Sequence, residues 1–204
     1  MEEILPYRIE EVSSVESPYL PGMIRWLNRL FPEYTPHFET ILTRLRREDG
    51  RHGAQIFLGL SGKEVAGLVQ LFYREWRDGL IADIDLLGVL EPYRRSGLGS
   101  ALVRRALLAT EHMSAAYGLP AIGVVSLIDP GYSPILRLHR RLGGQIRTDL
   151  RYPSGDLIAW YPLSDHFSAV GTKALAWQLW QFGGLPAGEF TSRYGEPEDY
   201  ECSR

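Results

Sequence analysis

The run from Leu86 to Leu102, LLGVLEPYRRSGLGSAL, constrains this chain more than any other segment. An apolar stretch meets Pro92 and a pair of arginines, and Gly97 and Gly99 then stand at the head of a long pattern of helical spacing. This is a strand, a turn and a glycine loop that opens a helix. Such loops aim several backbone N–H groups at one point, and the positive end of the helix dipole adds to their pull on an anion. A pyrophosphate suits such a place. Two other phosphate loops are excluded by spacing: no third glycine follows Gly99 as a dinucleotide fingerprint requires, and no Lys follows the glycines as in a P-loop.

What remains is Arg-x-x-Gly-x-Gly, filled by Arg94, Gly97 and Gly99 and preceded by Leu87-Gly88-Val89. In this order of strand, Pro-Tyr-Arg turn, glycine loop and helix, the chain resembles the GNAT acyltransferase superfamily over roughly residues 5 to 163. The resemblance implies acetyl-CoA as co-substrate. It puts the diphosphate on backbone N–H groups of Arg95, Ser96, Gly97, Leu98, Gly99 and Ser100, with Arg94 at the family's Gln/Arg position. It also lays the pantetheine arm along Leu87, Gly88 and Val89, where an N–H polarises the thioester carbonyl. A glycine at position 88 allows close backbone approach or a bulge, or is a plain strand glycine.

The remaining pattern fits a mixed, mostly antiparallel sheet of about seven strands flanked by helices, an α/β (α+β) fold with one parallel crossover beside the loop. Strands are expected over 7–12, 55–60, 65–73, 80–90, 122–127, 145–152 and 157–161, and helices over 19–31, 37–47 and 97–117, with another from Ser133 or Pro134 to the glycines at 143–144. Ser61-Gly62-Lys63-Glu64 suits a hairpin turn. Residues 1–164 are expected to form the acyltransferase domain and 165–204 an extension, with a helix near 167–182 and an acidic tail. That helix covers the core, forms a homodimer contact or closes over an acceptor pocket.

The family often places a catalytic carboxylate six residues before the valine of Leu-x-Val, which here is Asp83; Asp85 lies on the same face of a regular strand and is the second candidate base. Either carboxylate instead sits on a solvated face or pairs with an arginine. For the general acid the chain departs from its relatives. The family's Leu-Tyr-x-Lys-x-Gly-Phe reads Leu138-His139-Arg140-Arg141-Leu142-Gly143-Gly144, so His139 stands in the tyrosine position. With an ordinary pKa of about 6.5 it would be partly protonated at neutral pH; the alternative is a surface histidine with no role. Tyr132, at a position where relatives often carry Asn, is the substitute candidate.

Composition narrows the partners. The chain has 204 residues and a formal net charge of −3, with its basic pairs scattered, so nucleic acid is not expected as a partner. No apolar run reaches membrane-spanning length, and neither a signal segment nor a disulfide is expected, Cys202 being the lone cysteine, so a cytoplasmic site is expected. The five histidines show no metal-ligand spacing, and no metal is expected. The expected activity is transfer of an acetyl group to a primary amine of a small molecule or peptide, with a non-catalytic acyl-CoA sensor as the alternative. The acceptor pocket implied by the resemblance is framed by Phe31 to Phe38, Tyr152 to Trp160, Trp177 and Trp180.

Overall fold

The computed structural model describes residues 7–12, 16–32, 54–76, 79–151 and 155–164. In chain order these form β1 (Arg8–Glu11), α1 (Leu20–Leu30), β2 (Ala54–Ser61), β3 (Glu64–Trp76), β4 (Gly79–Val89), a 3-10 turn (Glu91–Tyr93), α2 (Leu98–Tyr117), β5 (Ala121–Ile128), α3 (Ser133–Arg141), β6 (Gln145–Arg151) and β7 (Leu157–Pro162). The strands make one seven-stranded sheet in the order β1-β2-β3-β4-β5-β7-β6. The mixed sheet and the position of each described element agree with the sequence reading. The expected helices over 37–47 and 167–182 lie outside the described residues, as does the rest of the extension from 165 onward. One finding goes beyond the sequence. β7 pairs antiparallel with both β5 and β6, so the last strand lies between them.

The chain divides into two compact units, Met1–Tyr73 with Ile84–Ala106 and Arg74–Asp83 with Leu107–Arg204. In the first unit β1, β2 and β3 are antiparallel neighbours, joined at the β2–β3 hairpin by Gly62 with φ +59°. Apolar residues of α1 recur at helical spacing, and Met23, Trp26 and Leu27 are buried. They pack with Val12, Ile56, Leu58, Leu60, Val65, Leu68, Leu86 and Leu90 into one core cluster. The opposite face of β2 and β3 receives the start of α2. Gly59 and Gly67 are direct cross-strand partners, and their missing side chains leave a furrow. A Cβ on Gly59 would lie 2.4 Å from Leu98 Cδ1, and one on Gly67 would lie 3.1 Å from both Leu98 and Leu102. Two glycines thus let the first turn of α2 sit directly on the sheet, which fixes the height of the loop before it.

In the second unit β5 is buried along Ile122, Val124, Val125 and Ile128, and Trp160 from β7 covers Gly123, where a Cβ would lie 2.3 Å from its Cη2. Trp160 therefore serves packing. Gly118 and Gly143, with φ of +66° and +87°, end α2 and α3 in the left-handed conformation that glycine adopts without strain. Beyond α3, the Gly144 N–H donates to the His139 carbonyl at 2.9 Å.

Gly59→Ala should destabilise the protein by roughly 1–3 kcal/mol, because Leu98 has to move out of the furrow. Urea unfolding measures this, and an unchanged midpoint would contradict the seating of α2.

Candidate functional site

The first unit carries the glycine loop. β4 ends at Leu87, Gly88 and Val89, all half-buried, and the Leu90 N–H then donates to the Ala66 carbonyl at 2.8 Å. Pro92 sits in the first turn of the 3-10 segment, where its missing N–H costs nothing. The Tyr93 hydroxyl donates to Glu64 at 2.7 Å, and the Ser96 hydroxyl donates to the Tyr93 carbonyl at 2.7 Å. Arg94 Nε donates to the Val89 carbonyl at 3.1 Å, so this guanidinium braces the end of β4. Arg95, with φ 65°, is the one described non-glycine residue in the left-handed region, and Gly97 follows with φ 89°. For an arginine that conformation costs roughly 1 kcal/mol. Residues 94–97 are exposed, and left-handed residues alternating with ordinary ones turn successive N–H groups toward a common side.

The loop then runs into α2. Its first turn holds no acidic residue, so no carboxylate competes with an anion for the helix dipole. The Leu98 N–H lies 3.4 Å from Ser96 Oγ, and the Ala101 N–H donates to the carbonyl of Gly97, just before the helix, at 3.0 Å. Arg95, Ser96 and Gly97 are therefore gathered in one exposed turn that runs straight into buried Leu98 and half-buried Gly99 and Ser100. Tyr7 joins them unexpectedly. Its hydroxyl lies 3.4 Å from the point a Gly97 Cβ would occupy, a neighbour that a separation of ninety positions hides from any local pattern.

Upstream in β4, Asp85 is exposed and accepts from Gln70 Nε2 at 3.2 Å. Gln70 lies opposite Ile56 and shares the α1 side of the sheet with Leu68. Leu86 belongs to the same α1-side cluster, so consecutive residues Asp85 and Leu86 face one way and the pleat slips between them. That slip turns Gly88 to α1 as well. A Cβ there would lie 2.8 Å from Trp26 Cζ2 and 3.1 Å from Leu30 Cδ1. The glycine at 88 is thus required by an indole lying on the strand.

The second unit holds the other candidates. Asp83 is ion-paired with Arg74, Nε to Oδ2 at 2.6 Å, and its side chain is 13% exposed. Tyr132 precedes α3 as its N-cap residue and is 44% exposed, with no side-chain capping bond. His139 is fully buried, against the expectation that an inactive histidine here would lie on the surface. Its Nδ1 lies 2.6 Å from the Tyr161 hydroxyl of β7. Burial lowers the imidazole pKa to about 4 and pushes the Tyr161 phenol well above its usual value, so both are neutral at pH 7. Two buried polar atoms among the described residues have no partner, His139 Nε2 and Trp26 Nε1. Each such orphan costs about 1–3 kcal/mol. Sequence reasoning found His139 through its place in the motif, but missed Tyr161 and Trp26, which read as ordinary strand and helix apolar positions.

The profile of the Acetyltransferase (GNAT) family matches residues 20–143, more than half of the chain, and the protein belongs to that family. No curated protein matches the chain in sequence. Solved structures share the fold. NAA60 of Arabidopsis thaliana in complex with acetyl-CoA superposes with a TM-score of 0.58 at 16% identity, over 76% of this chain and 99% of that one. A GNAT family acetyltransferase from Elizabethkingia anophelis with acetyl-CoA bound gives 0.55 at 16% identity, over 78% and 99%. The aminoglycoside acetyltransferase meta-AAC0020, from an uncultured soil metagenomic sample, gives 0.50 at 19% identity, over 67% and 86%. Among the described residues no cluster of three or more His, Cys, Asp or Glu is placed to hold a metal, and no helix is long and apolar enough to cross a membrane.

The buried histidine sets a pH dependence. As pH falls below about 6.5 the unfolded chain binds a proton at position 139, while the folded chain takes it up only near pH 4, so stability drops across that window by about 3 kcal/mol and levels off below it. The His139 ring resonances should stay fixed from pH 8 to pH 5 in an NMR titration; a midpoint near 6.5 would contradict the burial.

Proposed function

We propose that this chain is an acetyl-CoA-dependent N-acetyltransferase, residues 1–164 forming the catalytic domain, and that it moves an acetyl group directly to the primary amine of a small molecule or peptide in a ternary complex. The observation that carries the reading is the exposed turn from Arg94 to Gly97, with its left-handed Arg95 and Gly97, leading into a helix start free of acidic residues. Main-chain N–H groups there suit a pyrophosphate. Arg95, exposed in the same turn, extends its guanidinium to that co-substrate. The likeness to an aminoglycoside acetyltransferase supports an amine acceptor, and the neighbours solved with acetyl-CoA support the co-substrate.

Along β4, N–H groups of Leu87, Gly88 and Val89 polarise the thioester carbonyl, which raises the electrophilicity of its carbon. A carboxylate takes the proton that the amine loses. Asp83 sits at the family position, but its carboxylate is held in an ion pair with Arg74 and is only 13% exposed. Asp85, exposed and accepting from Gln70, is the more accessible of the two and is the base in this reading. His139 holds the tyrosine position of the family motif, yet a neutral buried imidazole has no acidic proton at pH 7. It acts in this reading as the partner that fixes Tyr161, and the departing thiolate is protonated from solvent. The same absence of a ready acid supports a second reading, a sensor that binds acyl-CoA without turnover.

Calorimetry with coenzyme A tests the shared basis of both readings. Gly97→Val should weaken binding by about tenfold or more and Ser96→Ala by less than about threefold, since backbone does the work; equal losses would remove the loop from the site. Thiol release from acetyl-CoA with a panel of amines and peptides then separates them: turnover of any acceptor establishes the enzyme, and binding without turnover establishes the sensor.

A further inference from the structure

Tyr7 stands just ahead of β1, and the register of that strand decides where its phenol goes. Ile9 pairs directly with Gly59, the residue on which Leu98 of α2 is seated, so this pair shares the α2 face of the sheet. Two residues earlier, Tyr7 takes the same face. Arg8 between them turns the other way, its guanidinium bonded to Glu10 at 2.6 Å and donating to the Tyr19 hydroxyl at 2.7 Å. The side chain that β1 sends to the turn before α2 is therefore the phenol and not the cation next to it.

What the phenol meets there is a gap. Apart from the chain on either side of Gly97, the point its Cβ would occupy has one described neighbour within 4 Å, the Tyr7 hydroxyl at 3.4 Å. The hydroxyl and the backbone of the exposed turn thus face each other across a space that no described side chain fills. Tyr7 is half-buried, and its hydroxyl has no hydrogen-bond partner among the described residues. The ring is packed while its polar end is left to the turn. A phenylalanine would supply the same packing, so the oxygen has no work inside the described fold.

We infer that the Tyr7 hydroxyl donates to a phosphate oxygen of the coenzyme A diphosphate held at this turn, as a side-chain donor beside the main-chain N–H groups. The inference rests on the acetyl-CoA reading above. A diphosphate offers more acceptor sites than the N–H groups of one turn satisfy, and a hydroxyl standing one contact from Gly97 supplies a further donor. It accounts for two features together, the unpartnered hydroxyl and the open space at Gly97. The first strand, remote in sequence from the glycine loop, thereby takes part in holding the co-substrate.

Tyr7→Phe removes one oxygen and no bond within the described residues, so its urea midpoint without ligand should match that of the wild type. Calorimetry of the full chain with coenzyme A should then show binding weaker by about tenfold. Phosphorus-31 NMR locates the loss: in the bound state the two diphosphate signals should differ between wild type and Tyr7→Phe, while the 3′-phosphate signal should not. A variant that binds within about twofold of the wild type, or that moves only the 3′-phosphate signal, overturns the inference and leaves the acetyl-CoA reading standing. A lowered urea midpoint assigns the hydroxyl to the fold instead and overturns it as well. If the wild type binds no coenzyme A, the acetyl-CoA reading itself fails and takes this inference with it.

Discussion

The seating of Leu98 in the furrow between Gly59 and Gly67 is the contact on which the first unit depends. A helix normally stands off a sheet by the thickness of two layers of side chains. Here one layer is removed, and the N-terminus of α2 drops onto the strands. The loop from Arg94 to Gly97 must then cover a short, fixed span, which accounts for its left-handed residues and for the bonds from Arg94 to Val89 and from Ser96 to Tyr93. A small local requirement in β2 and β3 is thereby passed to the place where the chain presents its main-chain donors.

Much of the architecture was legible in the sequence because it is written in local terms. The alternation of apolar residues, the turn residues at Gly62 and the glycine stops after α2 and α3 each act within a few positions. The glycine loop was legible for the same reason. What escaped depends on residues far apart in the chain. The order of β5, β7 and β6 is decided by pairing partners, since either neighbour would satisfy the same hairpin sequence. Tyr7 beside Gly97, Trp26 over Gly88 and Tyr161 on His139 are tertiary contacts between residues whose own spacing says only that they are apolar or aromatic. The slip of the pleat at Asp85 and Leu86 was invisible as well, and it separates what a regular strand would have kept in alternation.

The carboxylates and the histidine show how environment assigns roles that residue type leaves open. Asp83 and Asp85 are identical groups two residues apart, yet one faces a guanidinium and the other an amide. Two like groups thus meet unlike surroundings. His139 resembles a titrating group by its sequence position, and burial against a phenol removes its charge from the physiological range. In both cases the decisive quantity is the free energy of holding charge in that place, which depends on solvent access and on the nearest dipole.

Arg95 carries a further consequence. Its φ of 65° is one that glycine adopts freely and that an arginine holds at a cost of about 1 kcal/mol. The bonds from Arg94 to Val89 and from Ser96 to Tyr93 brace the turn on either side of it. The fold itself therefore supplies that energy, and it keeps a positive charge at a position where local backbone preference alone would select glycine.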